Sequence, residues 1–129
     1  MEKQLAFSMV ISRGVVVANE NNTAIDIANL LSEHNIGAVV ILREEKLVGI
    51  VSERDIVRRV VAKGLSPEKA KAKDFMTKEV VTANLEDGLD NIYKKLCSVS
   101  FRHLPIMEGK RVFGIVSQRD ILYGLRKKE

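Results

Sequence analysis

The stretch "GIVSERDI", Gly49 to Ile56, decides how this chain is read, because "GIVSQRDI", Gly114 to Ile121, repeats it 65 residues further on. The same offset aligns far more than the octapeptide. "VVVANENN" (Val15 to Asn22) falls on "VVTANLED" (Val80 to Asp87), Ile27 on Ile92, Leu31 on Leu96, Ile36 on Phe101 and Ile41 on Ile106. No gap is needed from Ile11 to Val60 against Met76 to Leu125. Apolar positions meeting apolar positions over such a length mean two copies of one structural unit.

Each copy reads as β-α-β-β-α. The β-branched run Val15 to Ala18 predicts a strand, and Asn22 is placed to cap a helix carrying Ile27, Leu30 and Leu31. "IGAVVIL" and "LVGIV", joined by "REEK", predict a hairpin. Ser52 then stands where a cap belongs, ahead of "ERDIVRRVVAKG", whose Ile56, Val57, Val60 and Val61 recur at helical spacing until Gly64. The second copy has a strand at Val80 to Ala83, a helix from about Gly88 to Val99, the hairpin "HLPIM"–"EGKR"–"VFGIV", and a closing helix from Ser117. In "LSPEKAKAKD", Ser66 as cap and Pro67 as first helical residue predict a short helical linker. A unit of about 55 residues buries little surface alone. The expected fold is therefore α/β of the α+β kind, two repeats packed sheet to sheet as one pseudo-twofold module: residues 1–63, a linker 64–73, and residues 74–129.

The whole chain has the character of a folded globular protein. Its 129 residues are 46% hydrophobic and 29% charged, the composition of a globular domain. Apolar runs fall short of the roughly 20 residues that cross a bilayer, and "MEKQLAFSMVISRG" lacks the pattern of a signal peptide, so a cytoplasmic location without membrane contact is expected. The single cysteine, Cys97, suits a reducing compartment and is expected as a small buried helix residue. It has no nearby histidine to activate it. His34 and His103 have no further ligand at metal spacing, and neither a P-loop nor a catalytic constellation occurs, so no metal, no catalytic cofactor and no enzymatic activity are expected. A net charge of +4 raises nucleic-acid binding as an alternative, weakened by acids interleaved with the bases and by few aromatic residues for stacking.

The repeated octapeptide places chemistry at a strand-to-helix turn. Gly49 and Gly114 let the backbone pass close to a neighbour. Ser52 and Ser117 follow where free N–H groups favour an anion. Asp55 and Asp120 can accept from the paired hydroxyls of a ribose, and Arg54 and Arg119 add positive charge. Ser-x-x-Asp also forms a capping box, with no ligand at all. Capping does not explain why both copies also share Gly-Ile-Val before the serine and Arg-Asp-Ile after it.

These residues resemble the tandem CBS domains, named for cystathionine β-synthase, whose paired form is called a Bateman module. "GIVSERDI" and "GIVSQRDI" match the family's Gly-hydrophobic-hydrophobic-Ser/Thr-x-x-Asp signature, and "RHLPIMEGKRVFGIVS" matches its basic-x-Leu-Pro-hydrophobic strand. The resemblance runs from about residue 9 to 127. It implies a regulatory module that binds adenine nucleotides or adenosyl compounds, AMP, ADP or ATP foremost, in clefts between the repeats. One cleft would use Asp120, Ser117 and Arg119, with Ser12, Arg13, Val15, Ile36, Gly37 and Ala38 around the base. The other would use Asp55, Ser52 and Arg54, with Thr77, Lys78, Val80, Phe101 and His103. Arg102 and His103 would serve the phosphates beside Asp120, whereas their counterparts in the first copy are the uncharged Gly37 and Ala38. The family also implies a homodimer, through helices ending near Val60 and Leu125, and a separate regulated protein. A pure interaction scaffold with unused clefts is a further alternative.

Overall fold

The protein is described here from a computed structural model, over residues 15–98 and 103–117. Two compact units divide it. One spans Val16–Val80, and the other holds Val15 and the described residues from Val81 onward.

In the first unit the order is β1 (Val17–Asn19), α1 (Ala24–His34), β2 (Ala38–Arg43), β3 (Lys46–Ser52), α2 (Glu53–Asp55) running into a π-helical stretch Ile56–Val61, and α3 (Ala72–Phe75). The sheet order is β1-β2-β3, with β1 parallel and β3 antiparallel to β2. The second unit repeats the scheme with β4 (Ala83–Asn84), a 3-10 turn (Leu85–Asp87), α4 (Leu89–Ser98), β5 (His103–Glu108) and β6 (Arg111–Ser117), in the order β4-β5-β6. The repeat holds down to register. Ala38 faces Ser52 as His103 faces Ser117, Ile41 faces Gly49 as Ile106 faces Gly114, and both hairpins slip register at the next residue. The closing helix expected from Ser117 falls outside the described residues.

The cores repeat as well. Ala18, Ile27, Leu31, Val39, Ile41 and Val51 are buried together, and so are their counterparts Ala83, Ile92, Leu96, Leu104, Ile106 and Val116. Ala38 to Ile41 are all buried, so β2 is shielded on both faces. Burial on both faces explains why its apolar run is unbroken. The second copy departs at one rung: Val17 pairs with Val40, but at the matching place stands Pro105, which has no N–H to offer a neighbouring strand, and β4 begins one residue later.

Several local expectations shift for physical reasons. Thr23, not Asn22, caps α1. Its hydroxyl accepts from the Asp26 N–H at 3.2 Å, and the Asp26 carboxylate accepts from the Thr23 N–H at 3.0 Å. Asn22 is displaced because its own carboxamide oxygen accepts from the Asn19 N–H at 2.7 Å. The Thr23 backbone bond, helped by the side chains of Asn22 and Thr23, holds the Asp26 carboxyl below the usual carboxylate range. A depressed folded-state pKa stabilises above the unfolded value, and that contribution is lost as pH falls through the folded one.

The helix expected over the linker shrinks to a single turn, in which the Ser66 carbonyl accepts from Lys69 and Ala70. The chain is instead pinned to the first unit: the Ile25 N–H donates to Pro67, Ala72 to Asn22 and Lys73 to Glu20. Ala72, Phe75 and Met76 are buried in that unit's core. The four-valued apolar face after Ser52 splits, with Ile56 and Val60 packed inward while Val57 and Val61 are 59% and 61% exposed. Cys97, expected to be buried, is exposed. Ile92 and Leu96 take the inward stripe of α4, leaving Cys97 on the outer face one turn beyond Tyr93, whose phenol is pushed up by a hydrogen bond with the thiol.

Candidate functional site

The Ser52 turn is built by β3 leaving the sheet. The Glu53 N–H donates to the Gly37 carbonyl at 3.0 Å, which fastens the turn to the start of β2. The Asp55 N–H donates to Ser52 Oγ at 3.2 Å, and Asp55 Oδ2 accepts from the Ser52 N–H at 2.9 Å and from Ser52 Oγ at 3.1 Å. Both halves of a capping box are present, so the purely structural use of Ser-x-x-Asp is realised in the first copy.

The other carboxylate oxygen tells a different story. Asp55 Oδ1 accepts from Thr77 Oγ1 at 3.4 Å and lies 3.7 Å from Arg59 Nε. These are its long contacts, near or beyond the hydrogen-bond limit. Oδ2 is committed to the fold, and Oδ1 is the oxygen that exchanges partners at little cost.

Thr77 reaches Asp55 because it is stitched to β3. The Thr77 N–H donates to the Ile50 carbonyl at 2.9 Å and the Ile50 N–H to the Thr77 carbonyl at 3.0 Å. Gly49 makes that approach feasible. A Cβ there would run into Met76 Sδ and stand 3.1 Å from the Thr77 carbonyl oxygen. Gly49→Ala is therefore expected to cost about 1–3 kcal/mol by overpacking. Urea denaturation checks the cost, and an unchanged midpoint would contradict the close approach.

The structure brings together Ser52, Asp55 and Thr77 of the expected set. Gly37 and Ala38, assigned to the base of the Asp120 cleft, lie beside the Ser52 turn of their own copy, and Ile36 packs partly buried on that copy's core. In the second copy His103 takes the place of Ala38, opposite Ser117. Arg54 and Lys78 are exposed, and neither forms an ion pair with Asp55. Val15 and Val80 are half-buried. Ser12, Arg13, Phe101, Arg102, Arg119 and Asp120 lie outside the described residues.

Two expectations change here. The turn was read as offering free N–H groups to an anion, but those of Glu53 and Asp55 are taken by Gly37 and Ser52. The cation beside the carboxylate is Arg59 rather than Arg54. Arg59 donates through one terminal nitrogen to the Phe75 and Met76 carbonyls, each at 3.2 Å. Its spacing of four from Asp55 is a helix-face ion-pair signal visible in the sequence. Met76, the residue that seats against Gly49, left no such signal. Among the described residues no cluster of His, Cys, Asp and Glu has the makings of a metal site, and no helix is long and apolar enough to cross a membrane.

Comparison with known proteins bears on this geometry. The CBS domain model matches residues 7–62 and again 72–127. An uncharacterized protein of Methanopyrus kandleri is 34% identical over 122 residues, covering 93% of this chain and 62% of that protein. The L-aspartate semialdehyde sulfurtransferase of Methanocaldococcus jannaschii is 32% identical over 122 residues, 92% of this chain but 23% of the enzyme. The chain thus spans less than two thirds of both relatives. A CBS domain pair solved in complex with 5'-methylthioadenosine and S-adenosyl-L-methionine superposes with a TM-score of 0.82 at 29% identity, covering 93% of this chain and 94% of that one.

Proposed function

Since the chain belongs to the CBS domain family and carries the domain as a tandem pair, we propose that it is a non-enzymatic regulatory module that binds adenine nucleotides or adenosyl compounds. Its ligands would occupy clefts between the repeats and signal occupancy to a separate partner. The observation that carries this reading is the Ser52–Asp55–Thr77 cluster. It combines a carboxylate with one loosely held oxygen, a hydroxyl on either side, and a backbone pressed close by a glycine. Such a carboxylate is suited to the vicinal hydroxyls of a ribose. The complex of a structural neighbour with two adenosyl compounds supports the same ligand class.

The two copies would differ in what they accept beyond the ribose. Around Ser52 the N–H groups of Glu53 and Asp55 are taken and the facing residue is Ala38; opposite Ser117 stands His103, with Arg102 next to it in sequence. Phosphate is therefore assigned to the Asp120 side. Thermal shift with AMP, ADP, ATP, 5'-methylthioadenosine and S-adenosylmethionine tests the proposal. A ligand at 100 times its dissociation constant stabilises by about 2.7 kcal/mol. Silence across the panel would leave a scaffold with unused clefts.

A homodimer completes the reading. Val57 and Val61 form an exposed apolar stripe one helical turn long, which a second copy would cover. Sedimentation is expected to show a dimer at micromolar concentration that dissociates on Val57→Glu and Val61→Glu. A monomeric wild type would remove the dimer from the proposal.

A further inference from the structure

We infer that Arg59 is a positioning residue, tying the Asp55 carboxylate to the segment Ala72–Thr77 and so passing occupancy of Asp55 into the stretch where the second copy begins; this rests on Asp55 as the ribose carboxylate. Three features converge on it. The guanidinium lies between two loads: its Nε is 3.7 Å from Asp55 Oδ1, and one terminal nitrogen donates to the carbonyls of Phe75 and Met76. The residue following those carbonyls, Thr77, touches the same carboxylate oxygen. And Arg59 sits within the π-helical stretch Ile56–Val61, an irregularity that commonly marks functional positions.

Oδ1 is thus the junction. A ligand hydroxyl that takes it competes with Thr77 Oγ1 and draws the carboxylate from Arg59. The guanidinium is half exposed, so its bonds to Phe75 and Met76 hold it in place only while the carboxylate shares its charge. Loss of that partner loosens the backbone that Met76 and Thr77 occupy. In the second copy the residue 65 positions after Arg59 is Gly124, which has no side chain to make this tie.

Native-state amide exchange of the full chain tests it at Met76, whose N–H donates to Ala72, and at Thr77, whose N–H donates to Ile50. Asp55→Asn and Arg59→Gln are each expected to speed these two amides roughly fivefold, with α1 amides as the control for global stability. The double variant should be no faster than Arg59→Gln alone. Arg59→Lys, which keeps the charge but not the forked donation, should restore at most part of the protection. Accelerations that multiply in the double variant, or an Asp55→Asn protein with unaltered Met76 and Thr77 amides, would overturn the inference. Saturating AMP or 5'-methylthioadenosine should speed the same amides in wild type and not in Arg59→Gln. A ligand that binds without moving them in wild type defeats the coupling. A wild type that takes up neither probe defeats the adenosyl reading, and the variant cycle then decides the tie.

Discussion

Ile41→Ala is expected to remove about 2–5 kcal/mol of stability, read as a fall in the urea midpoint at unchanged slope. Ile41 is fully buried at the centre of its sheet, pairing with Ala18 on one side and Gly49 on the other, at the last rung before the hairpin slips register. Neither neighbour can fill the void, since alanine is small and glycine has no side chain. The cavity therefore persists and its cost adds to the lost transfer energy. Ile106, flanked by Ala83 and Gly114, is expected to behave alike. A loss below about 1 kcal/mol at either position, the range of an Ile→Val change, would mean that the sheet collapses onto the gap.

Asp120→Ala should weaken AMP binding by roughly one to two powers of ten, the worth of hydrogen bonds to a charged acceptor. Asp55→Ala should weaken it less. Both aspartates would serve a ribose, but phosphate needs donors, and Ser52 faces Ala38 where Ser117 faces His103. Calorimetry on the two variants decides the order. A greater loss from Asp55→Ala would reverse the assignment of phosphate to the Asp120 side. Asp55→Ala carries a second cost, because it deletes one half of the cap on α2. Folded fraction must accordingly be measured alongside affinity.

The repeat made most of the fold legible. An offset of 65 residues carried the strand order, the hairpins and the paired cores from one copy to the other, because the spacing of apolar residues records which side of each element is buried. It failed where one residue had two competing partners. Asn22 and Thr23 are both good caps, and the choice fell to Thr23 once the Asn19 N–H had claimed the Asn22 carboxamide. Val57 and Val61 are as apolar as Val60, yet they are the exposed ones.

The candidate site divides along the same line. Glycine, serine and aspartate at fixed spacing announce a strand-to-helix turn in any context, since a cap is made by residues within a few positions of one another. Thr77 and Arg59 are 22 and 4 residues from Asp55, and Met76 lies 27 residues from Gly49. Sequence spacing says which groups are available, and local turns form from it directly. Which distant hydroxyl arrives at the Asp55 carboxylate, and which thioether seats against Gly49, depends on where Ala72, Phe75 and Met76 bury their apolar surface. That burial is a property of the packed chain, and it draws the segment Ala72–Thr77 onto the first unit, beside Asp55.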